Sequence, residues 1–446
     1  MSTNQKGFIE KKNTESPHVF NYLREEIPIE DIEDYASPKR LESIDFVKGF
    51  AIIFIMLAHI GAEWLNNQWL FLVGIVFAWL DILGPSLFTF LSALSVIFSI
   101  KRKEKRLPQK IIRNRIFSRG LTLILIGAIF NALVNFNTYI FPFSLWGWNI
   151  LFFIGFSQIF SYYSLKMSKM TRIILGLIII FYSPALVELF YQGKDTNILF
   201  WILDFIATSP VAQMPVLPWI SISFISTIFG EYLYEAMEKD TRDAFIGLVR
   251  LFLFWGITLL ISGIIFGFRL HTLDTINSDL YPHIFLLETA NSQNIIPTFN
   301  FPGMPEFLIR NMSSQMLYNL GAALMIISVS LYLIDINERK GKFVRMMIFY
   351  GKISLSLFMM HFGFIFIYAR FLPVWYFAVA YFGFVGLLGF MMYIWNHFAG
   401  GVGSPEWLMI QMGRIGEKTG DGIKKTSEKA YEKAKKGIKS IEKELS

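Results

Sequence analysis

The sequence predicts an all-α, polytopic membrane protein with about ten transmembrane helices. Of its 446 residues, 54% are hydrophobic and only 17% are charged, and the mean hydropathy is +0.47. Apolar runs of about 20 residues recur along the chain, which is the length needed to cross a hydrocarbon core of about 30 Å. These runs are continuously apolar and do not alternate, so they indicate helices and not the strands of a membrane barrel.

Ten segments have the length and composition of membrane spans. The apolar run from 69 to 100 is too long for one crossing and too short for two, and it is interrupted by Asp81 and by the pair Gly84-Pro85. We therefore expect a re-entrant or outer-leaflet piece over 69–80, followed by the second span. The predicted spans are 46–65, 82–100, 117–137, 147–165, 172–191, 216–236, 244–268, 313–334, 346–369 and 374–397.

The basic residues predict the orientation of these spans. With the N-terminus inside, all but four of the 41 Lys and Arg residues fall on the cytoplasmic side. This is the bias of the positive-inside rule, so we expect both termini in the cytoplasm of a multi-pass plasma-membrane protein. The net charge of +7 is then a topology signal, and no nucleic-acid partner is expected. The chain has no cysteine, which excludes disulfides, thiol nucleophiles and cysteine-bound metals.

The chain divides into three parts. Residues 1–39 are polar and predict a flexible cytoplasmic segment, whereas 40–410 form the transmembrane domain. An outer loop over 271–310 is long enough to predict a lid. Residues 411–446 carry a thin apolar stripe among lysines, which predicts a basic amphipathic helix on anionic membrane lipids; coiled-coil association into a homo-oligomer is the second interpretation.

An ionisable side chain lies deep in the first span. His59 follows Lys48 by eleven residues, so the two share one helix face about 16 Å apart along the axis. Ionisable groups at membrane depth usually face a cavity and mark a site. Glu63 lies at i+4 and could hold one imidazole nitrogen, leaving the other as a general base. A plain interhelical hydrogen bond from His59, and a solvated Glu63, are the structural alternatives.

A cluster of arginines precedes the third span. Arg113, Arg115 and Arg119 lead into it from the predicted cytoplasmic side, where Lys48 also lies. Guanidinium groups bind phosphate in a fixed geometry, so this set is a candidate site for an anionic donor such as a nucleotide-bearing thioester. The alternative is a positive-inside flank that binds nothing, although Arg119 lies within the start of the apolar run and needs a partner there.

Further polar residues are candidates for a substrate cavity within the apolar spans. His361 lies about two turns after Ser354, and a structural hydrogen bond is its alternative role. No metal-ligand spacing, phosphate-binding loop or nucleophile-histidine-acid pattern is present, so no metal is expected. The candidate cavity residues are Asp45, Asp81, Ser92, Asn131 and His361.

Six motifs, in order along 40–410, resemble the transmembrane acyltransferase superfamily. That superfamily includes heparan-α-glucosaminide N-acetyltransferase and bacterial enzymes that O-acetylate surface polysaccharides. The resemblance implies acyl-CoA, in particular acetyl-CoA, as co-substrate and an extracytoplasmic glycan or small molecule as acceptor. The motifs are RLESIDFVKG at 40–49, LFTFLSALS at 87–95, RNRIFSR at 113–119, LPW at 217–219, GKISLSLFMMH at 351–361 and SPEWL at 404–408.

Within this superfamily, Lys48 and His59 resemble the signature of the polysaccharide enzymes, a basic residue and a histidine separated by ten positions. Lysine here replaces the usual arginine. In the heparan branch, the position of His59 is typically asparagine and the working histidine follows in the outer loop, but residues 60–70 contain no histidine. This departure argues against a heparan-type acceptor and leaves acyl transfer as the expected reaction.

Two other functions are consistent with buried histidines. A proton-coupled transporter or flippase could use His59 and His361 as a relay, although internal repeats are not evident. A relative without activity could bind only lipids or protein partners. Release of CoA from acyl-CoA distinguishes an enzyme from both.

Overall fold

A computed structural model describes residues 41–104, 108–134, 141–208, 214–272, 274–281, 284, 303–365 and 367–416. The predicted N-terminal segment, most of the outer loop and the tail beyond 416 lie outside the described residues, so the expectations for them stay predictions.

The described residues are almost entirely helical, which confirms the all-α prediction. In chain order the helices are α1 (Glu42–Trp64), α2 (Leu70–Leu80), α3 (Pro85–Glu104), α4 (Gln109–Val134), α5 (Ile150–Ser164), α6 (Lys169–Gly193), α7 (Ile198–Ala207), α8 (Val216–Lys239), α9 (Arg242–Phe266), α10 (Ser313–Ser330, continued by a π-helical turn to Ile336), α11 (Lys342–Lys352), α12 (Ser354–Phe362) and α13 (Val374–Ala399). Residues 405–416 form a final helix, α14.

Each of the ten predicted spans coincides with helical structure, but two of them are not simple crossings. Among the described residues, eight helices are long and apolar enough to span a membrane. The predicted fourth span is α5, whose 15 residues extend about 22 Å, shorter than the hydrocarbon core. The predicted ninth span is the pair α11 and α12, bent by 76° at its break.

The predicted interruption of the second apolar run is confirmed. Helix α2 ends at Leu80, a 3-10 turn covers Asp81–Leu83, and α3 begins at Pro85. The proline is at the first position of the new helix, where its missing N–H leaves no hydrogen bond unmade. Asp81 is buried at this junction, so the interruption places a carboxylate inside the protein.

Two glycines bring α1 and α11 into backbone contact. A Cβ at Gly49 would lie 1.9 Å from the carbonyl oxygen of Met347, and one at Gly351 would lie 1.8 Å from that of Asp45. Only glycine permits helices to pack at this distance, as in small-residue contacts between membrane helices. Because Lys48 precedes Gly49 and Lys352 follows Gly351, this crossing also brings two lysines to one end of the bundle.

The ends of the predicted outer loop form ordered structure. Strand β1 (Leu270–His271) pairs antiparallel with β2 (Met304–Pro305) and closes the base of the loop. His271 Nε2 lies 3.3 Å from a carboxylate oxygen of Glu306. The segment after β2 packs into a buried apolar cluster and then enters α10. A covering role for the rest of the loop stays a prediction.

Helix α14 crosses the predicted boundary between the membrane domain and the tail. Gln411 is fully buried, and the carbonyl oxygen of Met412 accepts a hydrogen bond of 2.5 Å from the Ser118 hydroxyl on α4. A Cβ at Gly416 would lie 2.9 Å from the carbonyl oxygen of Asn114. Residues up to 416 therefore pack as part of the domain, and the predicted boundary at 411 lies inside a helix.

Candidate functional site

One cavity of about 290 Å³ contains His59, and we call it the histidine cavity. Its wall is largely apolar and aromatic, with four polar side chains supplied by separate segments. This composition is typical of small-molecule sites. The polar residues of its lining are His59, Asp81, Asn149 and Arg310, and the others are Phe54, Ile55, Ala58, Ala62, Phe77, Gly84, Pro85, Phe130, Ile150, Met214, Phe358 and Phe362.

The His59 ring is held by a second histidine. Its Nδ1 lies 3.2 Å from Nε2 of His361, and Nδ1 of His361 lies 3.2 Å from the carbonyl oxygen of Leu357 one turn earlier in α12. His361 has no exposed surface, whereas His59 is half-buried. The phenyl ring of Phe362 packs at 4.9 Å from the His59 ring and at 4.2 Å from the His361 ring, measured between centroids. The half-buried ring of His59 thus packs against the fully buried ring of His361.

Hydrogen bonds between the C-terminal end of α1 and the segment that follows α12 hold the two helices together. Trp64 Nε1 donates to the carbonyl oxygen of Ile365 at 2.7 Å. The backbone N–H of Arg370 donates to the carbonyl oxygen of Glu63 at 2.6 Å, and Leu372 N–H donates to that of Trp64 at 2.9 Å. These bonds join segments about 300 residues apart in sequence and fix the position of His361 against His59.

A buried ion pair forms another part of the wall. The Arg310 guanidinium contacts both carboxylate oxygens of Asp81, with Nε 3.3 Å from Oδ2. Gln315 Nε2 donates to the same Oδ2 at 2.9 Å. These hydrogen bonds satisfy the buried carboxylate and orient the guanidinium.

Asn131 supports the cavity from behind and is not part of its lining. Its side-chain amide donates to the carbonyl oxygen of Gly147 at 2.8 Å, and its Oδ1 accepts from Asn149 Nδ2 at 2.6 Å. Asn149 also caps α5 by accepting from the Phe152 N–H at 2.8 Å. The predicted residue therefore positions a neighbour that does line the cavity.

A second cavity of about 220 Å³ lies at the other end of the same helices, and we call it the cationic cavity. Four cationic side chains and two carboxylates line it, so its inner surface is net positive. Three of these cations belong to the set that the sequence predicted for an anionic donor. The charged residues of its lining are Lys48, Arg115, Arg119, Lys352, Asp45 and Glu406; Ser92, Ser95, Gln158 and Ser354 are its polar residues.

Glu406 brings α14 into this cavity. Its carboxylate accepts from the backbone N–H of Ser356 at 2.8 Å and from the Ser356 hydroxyl, at the start of α12. A carboxylate is favourable there because the N-terminal end of a helix carries partial positive charge. Removal from water raises the pKa of the Glu406 carboxyl, and the hydrogen bonds from Ser356 lower it in part.

The two cavities meet end to end along the bundle. Ile150 lines the histidine cavity and the next residue, Leu151, lines the cationic cavity. On α12, Phe358 lines the first and Leu355, one turn earlier, lines the second. The partition between the two cavities is thus at most one helical turn thick along α5 and α12, or about 5 Å, and about 9 Å along α1, where Lys48 and Phe54 are the nearest lining residues.

Most of the predicted site residues line one of the two cavities, but four do not: Asn131, described above, and Glu63, Arg113 and His361. Asp45 and Ser92, predicted for the substrate cavity, line the cationic cavity instead. Glu63 makes no side-chain hydrogen bond to His59, whose ring partner among the described residues is His361. Arg113 is exposed on α4 and does not line the cationic cavity, because it points away from the bundle where Arg115 is buried. His361 lies behind His59 and not in the cavity wall. Within the described part of the chain, no group of acidic or histidine side chains could hold a metal ion.

Sequence reasoning missed Arg310, Asn149, Lys352 and Glu406. A signal existed for the first, because Arg310 is one of the few basic residues off the predicted cytoplasmic side and Asp81 is an isolated acid in an apolar run. Two isolated side chains of opposite charge at membrane depth predict an ion pair. For Lys352 and Glu406, the signal is their position within two of the motifs quoted above.

The comparison with known proteins decides the family. The sequence profile described as "Heparan-alpha-glucosaminide N-acetyltransferase, catalytic" matches residues 40–293, more than half of the chain. The chain belongs to this family. It is therefore a multi-pass member of a membrane acyltransferase family, as the resemblance of its motifs predicts. A search of individually curated proteins finds no match.

The matched residues include the first helices of both cavities. Lys48, His59, Asp81 and Arg119 lie inside the matched range, whereas His361 lies beyond it. The partner of the His59 ring is thus supplied by a part of the chain that the family profile does not cover.

Proposed function

We propose that this protein transfers an acyl group, in particular acetyl, from cytoplasmic acyl-CoA to a hydroxyl or amine of an extracytoplasmic glycan or small molecule. The observation that carries the proposal is the half-buried His59, which is held by His361 and lines a cavity that lies end to end with the cationic cavity. The family supports the reaction class, and the opposite characters of the two cavities support the assignment of donor and acceptor.

The donor would bind at the cationic cavity. The phosphates of CoA suit the side chains of Lys48, Arg115, Arg119 and Lys352, since charge-assisted hydrogen bonds to phosphate are among the strongest in proteins. The cavity is smaller than the 300 Å³ or more that is typical for drug-sized ligands, so the nucleotide would lie at its mouth with the pantetheine arm inside. The thioester would then lie at the partition, and its attack by an acceptor in the histidine cavity requires the partition to open.

The acceptor would bind in the histidine cavity. His59 takes the proton from the acceptor O–H or N–H as the oxygen or nitrogen attacks the thioester carbonyl carbon. The new C–O or C–N bond forms, the C–S bond breaks, and the imidazolium returns its proton to the CoA thiolate. A transient acyl-imidazole on His59 would give the same products in two steps. Asp81 and Arg310 offer a carboxylate and a guanidinium that can bind sugar hydroxyls.

The direct test uses purified full-length protein in lipid nanodiscs with acetyl-CoA labelled in the acetyl group. Glucosamine, which carries both an amine and hydroxyls, serves as the acceptor probe. We expect CoA release that increases with the acceptor, a labelled product, and neither with His59→Ala. His397→Phe is the matched control, because His397 is an exposed histidine on α13. A protein that binds acetyl-CoA but releases no CoA would favour the transporter alternative.

The proposed orientation has its own test. The native chain has no cysteine, so single cysteines report sidedness without background. A cysteine at the exposed Phe143, between α4 and α5, should react with an impermeant maleimide on intact cells. A cysteine at the exposed Arg242, the first residue of α9, should react only after permeabilisation. The reverse pattern would move the donor to the other side.

A further inference from the structure

We infer that His361 is a positioning residue that fixes the tautomer of His59 and makes Nε2 of His59 the nitrogen that accepts the proton. This inference rests on the proposed function for its catalytic meaning. Which nitrogen of His59 carries the hydrogen follows from the hydrogen-bond geometry alone. It can be measured without any assay of acyl transfer.

The backbone carbonyl of Leu357 determines which nitrogen of His361 carries hydrogen. A backbone carbonyl only accepts hydrogen bonds, so the contact of 3.2 Å between Leu357 O and Nδ1 of His361 requires hydrogen on that Nδ1. His361 is fully buried against Phe358 and Phe362, and no carboxylate of the described residues bonds to its ring, so we treat it as a neutral imidazole. Its Nε2 then carries a lone pair.

The second ring follows from the first. Nε2 of His361 is an acceptor, so the nitrogen that faces it at 3.2 Å, Nδ1 of His59, must donate. The neutral His59 ring has only one hydrogen on nitrogen, and that hydrogen is on Nδ1. Its Nε2 is therefore the basic nitrogen, in a residue that lines the histidine cavity. The two hydrogen bonds, from His361 to Leu357 O and from His59 to His361, hold His59 in one tautomer and one orientation. The carboxylate of a catalytic triad has the same role.

This order of hydrogen bonds explains why no carboxylate is needed beside His59. The sequence offered Glu63 for the task, and His361 performs it from a helix 302 positions away. A neutral acceptor suits an apolar wall better than a carboxylate, because burial of an unpaired charge is costly. When His59 takes a proton, the bond from Nδ1 to His361 persists, so the ring keeps its orientation through the reaction.

Two variants separate the acceptor role from packing. In His361→Gln, the amide oxygen can accept from His59 Nδ1, whereas in His361→Phe a ring of similar size fills the aromatic pocket without an acceptor. We expect His361→Gln to keep kcat within about tenfold of the wild type. We expect His361→Phe to lose roughly 10²–10⁴-fold in kcat, with the KM for acetyl-CoA changed less than about twofold. His397→Phe should match the wild type in both.

The tautomer itself is measured by ¹⁵N NMR of histidine-labelled protein in nanodiscs, with His59→Gln used to assign the signals. We expect protonated Nδ1 and unprotonated Nε2 at His59 in the wild type and in His361→Gln. In His361→Phe we expect a mixture with the Nε2-protonated form. This readout needs neither donor nor acceptor, and a change in packing alone would not move it.

The outcomes distinguish this inference from the proposed function. Hydrogen on Nε2 of His59 in the wild type, or an unchanged tautomer in His361→Phe, overturns the inference whatever the activity. A His361→Phe protein that turns over like the wild type, while His59→Ala is inactive, also overturns it and leaves the acyltransferase proposal standing. A wild type that releases no CoA overturns the proposed function. The tautomer of His59 is then still tested by the ¹⁵N NMR spectra, which need no activity.

Discussion

The histidine cavity and the cationic cavity are built on the same five helices, α1, α3, α4, α5 and α12, and yet they are assembled differently. In the cationic cavity, two of the four cations, Arg115 and Arg119, lie one turn apart on α4, while Lys48 and Lys352 come from α1 and α11. In the histidine cavity, each polar side chain comes from a separate segment, and the partner of His59 lies about 300 residues away. Charge for ground-state binding can come from local clusters, whereas the orientation of a reacting group depends on distant contacts.

If this division is correct, the largest effect should come from the histidine cavity. His59→Ala should lower kcat by about 10³-fold or more, because it removes the general base or nucleophile, and acetyl-CoA binding should change little. The measurement is acetyl transfer by the purified protein, with acetyl-CoA binding measured separately. Wild-type turnover in this variant would mean that the cavity has no role in the chemistry.

The second effect concerns the ion pair in the same wall. Asp81→Ala should lower the free energy of unfolding by about 3–5 kcal/mol, because it leaves the buried Arg310 guanidinium without its carboxylate. The double variant Asp81→Leu with Arg310→Met should recover much of this stability and still lose activity. Thermal unfolding followed by tryptophan fluorescence checks the first claim. Equal stability of the single and double variants would contradict the coupling.

The third effect should be confined to donor binding. Arg119→Gln should raise the KM for acetyl-CoA about tenfold, with the KM for the acceptor little changed, because one charge-assisted contact to phosphate is lost. Lys48→Arg should retain activity and Lys48→Met should not. Arg113→Gln is the matched control, since Arg113 is exposed on the same helix as Arg119. Equal effects of the two arginine variants would indicate a general loss of surface charge.

The smallest effect tests whether α14 belongs to the cationic cavity. Burial raises the pKa of Glu406, so its contribution to stability is present at pH values below the ordinary range of a glutamate and is lost as the pH rises through the raised pKa. The thermal stability of Glu406→Gln relative to the wild type should therefore increase from pH 4 to pH 8. The exposed Glu104→Gln is the control. A difference independent of pH would mean that Glu406 is solvated.

The sequence by itself determined the membrane class, the positions of helices at its ten predicted spans and the break at Asp81; among the described residues, eight helices are long and apolar enough to cross a membrane. These follow from apolar run length and from single prolines and charges, which act locally. It also placed Lys48, Arg115 and Arg119 at one end of the bundle, because helical spacing on neighbouring spans brings them to the same level. The basic residues further predict which side of the membrane that end faces.

Only the tertiary structure decided which residues meet His59. Arg310 and His361 lie beyond every local spacing rule. His361 is held at the site by the bonds between the chain segments at 63–65 and 370–372, and Arg310 by its ion pair with Asp81. The bend between α11 and α12 and the short α5 are decided in the same way, since helix packing overrides the length expected for a simple crossing. Glu63 is not the hydrogen-bond partner of His59, because an i+4 spacing brings two side chains within reach without deciding which group each of them bonds to. The ring of His59 instead bonds to His361 on α12.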